Sequence, residues 1–322
     1  MSIDLPKENL SAGTTSIRFA DCFCGIGGFR YASQRAFDKL GLEGECVFSS
    51  DIDEYAQKSY AANFDEKPVG DITKIPAVEI PDFDLLFAGF PCQAFSICGL
   101  RKGFSDDTKG TLFFDIARII KEKRPQAFVL ENVKNLISHD DGRTLKTILE
   151  VLRNELGYQV DYKLLNALDF GMPQKRERIV IVGAEKPFAM NWNFEIKKKK
   201  TLIDILETNI DNKYYASAEI IAKRKAKHTS TKSPSIWHEN KSGNISSYPY
   251  SCALRAGASY NYLLVDGERR LTPREMLRLQ GFPDEFKIVV SDMQVRKQAG
   301  NAIPIDMLAM VMEHFFCCLK KI

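Results

Sequence analysis

The sequence predicts an α/β chain: a doubly wound sheet with helices on both faces, joined to a smaller, loop-rich module. Three observations predict it. Short apolar runs alternate with helically spaced segments through the first half. A glycine-rich turn follows the first apolar run. The periodicity then fades after a run of lysines and returns as helix near the end.

Taken in order, Ile17–Cys22 reads as a first strand and Phe29–Leu40 as a helix, with Gly25-Ile26-Gly27-Gly28 between them. Cys46–Ser50 is a second strand, followed by a helix around Tyr55–Asn63. Phe83–Ala88 is a third strand, Leu112–Lys121 a helix and Ala127–Leu130 a fourth strand. Thr144–Glu155 is helical, and Val160–Leu165 and Ile179–Val182 close the series as strands. In doubly wound sheets the ligand sits beyond the carboxyl ends of the strands. Lys197–Lys200 is a run of four lysines, read either as a solvated linker or as a phosphate contact. The stretch from Asn209 to Tyr262 is rich in Lys, Ser, Asn and Tyr and reads as a separate module. From Leu271 the pattern is helical again, with Pro273 suited to a first helical turn. The division expected is 1–188 plus 289–322 as one domain and 189–288 as the other.

Composition bounds the function loosely. The chain has 322 residues, 44% of them hydrophobic and 27% charged, which is ordinary for a globular protein. The net charge of +3 does not demand a polyanion, which needs only a local basic patch. The eight cysteines form no paired C-x-x-C knuckles and the four histidines complete no zinc pattern, so no metal is expected. Reduced, buried thiols in a reducing cytosol are the simplest reading for most of them. The N-terminus is polar and acid-bearing, unlike a signal peptide, and no apolar run reaches membrane-spanning length; Met307–Leu319 reads as a packed helix.

Two segments carry chemistry. The first is the turn Asp21-Cys22-Phe23-Cys24-Gly25-Ile26-Gly27-Gly28, with Asp51 ending the next strand. Glycines let backbone approach a ligand at a helix N-terminus, and an acid at that strand end suits ribose hydroxyls. These features fit any Rossmann-like domain and do not choose the ligand. The second is Phe87-Ala88-Gly89-Phe90-Pro91-Cys92-Gln93, which places a cysteine after a strand and its Gly and Pro rather than within it. A nucleophilic thiol needs such access. Glu131, at the end of the fourth strand, would share its crevice, where a carboxyl can protonate an electrophilic ring as sulfur adds.

The ordered set of segments resembles the DNA cytosine-C5 methyltransferases, in their compact bacterial restriction-modification form. It comprises Phe23–Gly28, Pro91-Cys92-Gln93, Glu131-Asn132-Val133, Gln174-Lys175-Arg176-Glu177-Arg178, Arg270–Glu275 with Gln280-Gly281-Phe282-Pro283, and Gln298-Ala299-Gly300-Asn301. The resemblance runs from about Phe19 to Asp306. It implies an S-adenosylmethionine-dependent domain with a target-recognition domain, and methyl transfer to C5 of a flipped cytosine in a specific duplex DNA sequence. Cys92 would attack C6, Glu131 would protonate N3, Arg178 would contact the cytosine O2, and Arg176 would help position the loop and the substrate. Asn132 would brace the Pro91-Cys92 turn. Phe23, Gly25, Gly27, Gly28, Asp51, Ile52, Asp71, Ile72 and Asn301 would form the cofactor site. Ala302 stands where many relatives have serine, and Cys24 where Ala or Ser is common.

For DNA contact the resemblance points to Gln93, Ser96, Arg101 and Lys109 in a glycine-hinged loop, and to Lys241, Arg255, Tyr260 and Asn261 in the variable stretch. It further implies double-stranded DNA as partner, a cognate restriction endonuclease acting independently, a monomer without membrane attachment, and a cytoplasmic, nucleoid-associated location. The tRNA cytosine-C5 enzymes share the scaffold, but their Cys-Phe-Thr signature is not seen here. A non-catalytic DNA-binding relative would have lost nucleophile or cofactor residues. A nicotinamide-linked dehydrogenase leaves Cys92 and Glu131 unexplained.

Overall fold

The structure is a computed structural model that describes residues 16–91, 112–240, 242–258 and 263–319. Its centre is a six-stranded sheet of β1 (Ile17–Cys22), β2 (Gly44–Ser50), β3 (Leu85–Gly89), β4 (Ala127–Val133), β5 (Gln159–Asn166) and β7 (Glu177–Ala184). The spatial order is β2-β1-β3-β4-β7-β5. Pairings among β2, β1, β3 and β4 are parallel, as the intervening helices require. β7 is antiparallel to both β4 and β5. The chain from β5 to β7 holds only one 3-10 turn and the two-residue β6 (Gln174–Lys175), too short for a helical crossover, so the last strand reverses.

The strands are apolar on both faces because helices cover both. Along β3, Leu85 and Phe87 join one core with Phe29, Phe37 and Val129. Leu86 and Ala88 join the other with Phe113, Ile116 and Leu130. This is the two-residue alternation of a strand between two layers. The first layer holds α1 (Gly28–Leu40) and α8 (Ile305–Cys318), where the Phe37 and Phe316 rings stack at 5.4 Å. The second holds α3 (Leu112–Lys123) and α4 (Arg143–Glu150). The helix expected over Thr144–Glu155 ends at Glu150 and closes in a π turn, Val151–Glu155. The 292–318 stretch is long and apolar enough by composition to cross a membrane, yet Met307, Leu308, Val311, Met312 and Phe315 of α8 are fully buried in the core.

The module expected to be loop-rich contains regular structure. It has α5 (Ala218–Lys227) and an antiparallel sheet of β8 (Ile236–Glu239), β9 (Ile245–Tyr248), β11 (Leu264–Val265) and β12 (Arg269–Arg270). Strands of two to four residues are too short for alternation to show in the sequence. A third sheet, the parallel pair of β10 (Ser251–Cys252) with β6, ties this module to the approach to β7. α6 (Pro273–Gln280) starts with a complete capping box: Thr272 accepts from the Glu275 amide and Glu275 accepts from the Thr272 amide. Its Leu277 packs in the first core, and its Met276 and Leu279 in a core with Ile236 and Leu263. α2 (Glu54–Phe64) and α7 (Asp292–Asn301) bring Ala56 and Lys297 to the cavity at the carboxyl end of the main sheet.

Candidate active site

A cavity of about 660 Å³ opens at the carboxyl ends of β1, β2, β3 and β4. One half is built on the glycine turn. Phe23 holds a left-handed φ of 58°, uncommon for a residue with a side chain, and Gly25 follows at 55°. A Cβ on Gly25 would meet nothing within 4 Å, so its bare backbone faces open space. Gly27 and Gly28 answer a different need. A Cβ would stand 2.2 Å from the Phe64 ring at Gly27 and 2.5 Å from Ile303 at Gly28. Those two glycines admit α2 and the α7–α8 connection; Gly28 also lines the cavity with Gly25, whereas Gly27 does not.

Asp51 clamps this turn. Its Oδ2 accepts from the Gly25 amide and its Oδ1 from the Asp53 amide, both at 2.8 Å. Each oxygen keeps a second lone pair for a ligand hydroxyl. Burial raises the Asp51 pKa, and the two backbone hydrogen bonds pull against that rise. Ile52, next in the chain, is 71% exposed and lines the cavity, an apolar surface with no protein covering it. Asp71 caps the turn beginning at Ile72. It accepts from the Thr73 hydroxyl at 2.7 Å and the Thr73 amide at 3.1 Å, and these bonds hold its carboxyl below the usual range. Asn301, at the end of α7, reaches the same wall.

The other half is ionic. Glu131 on β4 and Arg178 on β7 both line the cavity, with Arg178 Nε 2.6 Å from Glu131 Oε1. Burial raises the Glu131 pKa; Arg178 first and Arg176 second oppose it. Asn132 Nδ2 donates to the Phe90 carbonyl at 2.8 Å, bracing the strand end that leads through Pro91 to Cys92. Pro91 lines the cavity, whereas Cys92, Gln93, Ser96, Arg101, Lys109, Lys241, Tyr260 and Asn261 lie outside the described residues.

Phe23, Gly25, Gly28, Asp51, Ile52, Asp71, Ile72, Asn301, Glu131 and Arg178 thus meet at one cavity. Arg176 does not line it. Its side chain is buried and donates to the carbonyls of Leu254, Gly300 and Ala302, so it holds backbone rather than reaching a substrate. Arg255 is exposed and lines a separate, smaller cavity with Tyr214 and Met276. Sequence reasoning missed Lys297, which lines the main cavity and pairs with Asp53 at 2.6 Å. Its signal was available, because Lys297 lies four residues before Asn301 and shares its helix face. Ile303 carried no such signal.

The fold is that of the S-adenosylmethionine-dependent methyltransferases. A methyltransferase of Entamoeba histolytica, EhMeth, shares it at a TM-score of 0.71 and 19% identity, over 95% of this chain and 100% of that one. The family model for C-5 cytosine-specific DNA methylases matches residues 17–317. Among relatives, the Type II methyltransferase M.NgoBI of Neisseria gonorrhoeae is 53% identical over 291 residues, 89% of each chain. The Type II methyltransferase M.HaeII of Haemophilus aegyptius is 53% identical over 293 residues, again 89% of each. The chain belongs to the C-5 cytosine-specific DNA methylases. It is an enzyme, a DNA (cytosine-5-)-methyltransferase that uses S-adenosylmethionine. The cavity suits that cofactor: bare backbone at Gly25, a carboxylate at Asp51 and an uncovered apolar side chain at Ile52 lie along one wall.

Proposed function

We propose that the enzyme methylates one cytosine of a specific duplex sequence through a covalent Cys92 adduct, as the modification half of a restriction-modification system. The Glu131–Arg178 pair on the cavity wall beside Pro91 carries this reading. Cytosine C5 is a weak nucleophile, and a thiolate added at C6 makes it enamine-like. The ring must leave the base stack to reach the cavity. Cys92 forms the bond to C6 while Glu131 delivers a proton to N3, so charge does not accumulate on the ring. Arg178 faces the cytosine O2 and keeps Glu131 oriented. When bound, S-adenosylmethionine supplies the electrophilic methyl group that C5 accepts. Return of the N3 proton to Glu131 and loss of the C5 proton to solvent then restore the aromatic ring and release the Cys92 thiolate. Phe23, Gly25, Gly28, Asp51, Ile52, Asp71, Ile72 and Asn301 hold the cofactor, with Gly27 shaping the turn beneath it.

Residues 1–188 with 289–322 act as the catalytic domain and 189–288 as the target-recognition domain. Arg255, with Lys241, Tyr260 and Asn261, reads the sequence, while Gln93, Ser96, Arg101 and Lys109 close on the DNA. The protein works as a monomer in the bacterial cytoplasm, on nucleoid DNA, and a cognate endonuclease acts independently at the same site. Methylation mapping of DNA from expressing cells identifies the target. A duplex with 5-fluorocytosine at that position tests the chemistry, because fluorine cannot depart as a proton does. A denaturation-resistant protein–DNA adduct is expected; turnover of ordinary substrate with no adduct rules the covalent route out.

A further inference from the structure

Arg176 and Gly300 join two regions that the proposed function keeps apart. The Leu254–Ala256 segment carries Arg255. The Gly300–Ala302 segment carries Asn301 and borders the cofactor cavity. The two segments touch backbone to backbone. A Cβ on Gly300 would lie 2.3 Å from the Ala256 nitrogen and 2.6 Å from the Arg255 carbonyl carbon. Backbone cannot swing aside as a side chain can, so only glycine permits this approach.

The same junction is riveted by buried side chains. Arg176, 1% exposed, donates from Nη1 to the Leu254 carbonyl at 2.8 Å. From Nη2 it donates to the Gly300 carbonyl at 3.0 Å and the Ala302 carbonyl at 2.6 Å. One guanidinium therefore spans both segments. Gln174, two residues earlier and fully buried, accepts from the Leu254 amide at 3.1 Å and donates to the Leu279 carbonyl at 2.9 Å. Gln280 donates to the Ala299 carbonyl at 2.6 Å. Arg178, which grips Glu131, lies two residues beyond Arg176 on the same chain.

We propose that Gly300 and Arg176 are positioning residues that couple the recognition segment at Arg255 to the cofactor wall at Asn301, so that target DNA and cofactor each tighten the binding of the other. A shift of the Arg255 backbone on seating DNA cannot be absorbed at Ala256 or Leu254 without moving Gly300 or the guanidinium, because packed backbone transmits displacement. The coupling must be reciprocal, as linkage requires. The proposal rests on the reading of the Arg255 segment as DNA-reading.

The test is calorimetric titration of S-adenosylhomocysteine into the full-length protein, alone, with the mapped target duplex, and with a scrambled duplex. Wild type is expected to bind at least about fivefold tighter with the target duplex than alone, a typical size for coupling between sites, and to gain nothing from the scrambled one. Arg176→Lys, which keeps the charge but loses the planar fork, and Gly300→Ala should each bring that ratio toward one. Ile148→Val, in the opposite core layer, should lower stability and keep the ratio, which separates coupling from loss of fold. Wild type that binds duplex and S-adenosylhomocysteine with no coupling overturns the proposal alone, as does an Arg176→Lys ratio equal to wild type. Failure of wild type to bind the duplex removes the recognition reading, and the proposal with it.

Discussion

Arg178 and Glu131 stand on adjacent antiparallel strands, two registers apart, with Nε and Oε1 2.6 Å from each other and both side chains nearly buried. The pair sets the protonation balance of the site. Burial pushes the Glu131 pKa up and the guanidinium pulls it down, with burial prevailing. A carboxyl poised above its usual range is a better proton donor at neutral pH.

Glu131→Gln keeps the shape and removes the ionisable carboxyl proton. The expected outcome is a fall in kcat of roughly 10²–10⁴, the usual worth of a positioned acid, with S-adenosylhomocysteine affinity retained. Single-turnover methyl transfer measures it, and a kcat within about tenfold of wild type is incompatible with a proton-transfer role for Glu131.

Cys92→Ala should abolish methylation and leave S-adenosylhomocysteine binding intact, because the cofactor wall is built from other strand ends. Tritiated methyl incorporation and calorimetry read the two properties separately. Residual turnover at the wild-type rate would show that no thiol adduct is needed.

Asp21 on β1 is fully buried, and neither carboxyl oxygen has a hydrogen-bond partner. Burial raises its pKa well above the carboxylate range, against the partial pull of Arg30. The folded protein then holds a proton that the unfolded chain releases near pH 4. Stability from this group is present below that pH and is lost as pH rises toward the folded pKa. Asp21→Asn removes the linkage and should stabilise the protein at pH 8, with a smaller gain at pH 5. Urea melts at the two pH values measure it, and an equal gain at both contradicts the account.

Glu275 is fully buried and receives Arg269 through two 2.8 Å hydrogen bonds, while also capping α6. Glu275→Ala strands the Arg269 charge and should cost about 3–5 kcal/mol. Arg269→Met with Glu275→Leu should cost less, because no charge is then left unpaired. Denaturant midpoints with unchanged slopes provide the comparison.

The alternation of strands and helices was legible up to α4 because each strand there is buried on both faces and each helix on one, which writes apolar residues into the chain at distinct periods. The reversal of β7 was not. Strand periodicity is the same in either direction, and only the short link between β5 and β7 dictates the antiparallel pairing. The small sheet from β8 to β12 was illegible because its strands are too short to show a pattern.

The sequence alone determined the family and the residues at the carboxyl ends of β1 to β4, because each lies just past an apolar strand run and a sheet of this class gathers those strand ends at one crevice. Tertiary structure decided which way each motif residue faces and what it packs against. Gly27 and Gly28 make room for Phe64 and Ile303, while nothing crowds Gly25. Arg178 enters the site, and Arg176, two residues away, turns to three backbone carbonyls. No spacing rule separates the two, because the direction of a side chain depends on which distant backbone packs beside it.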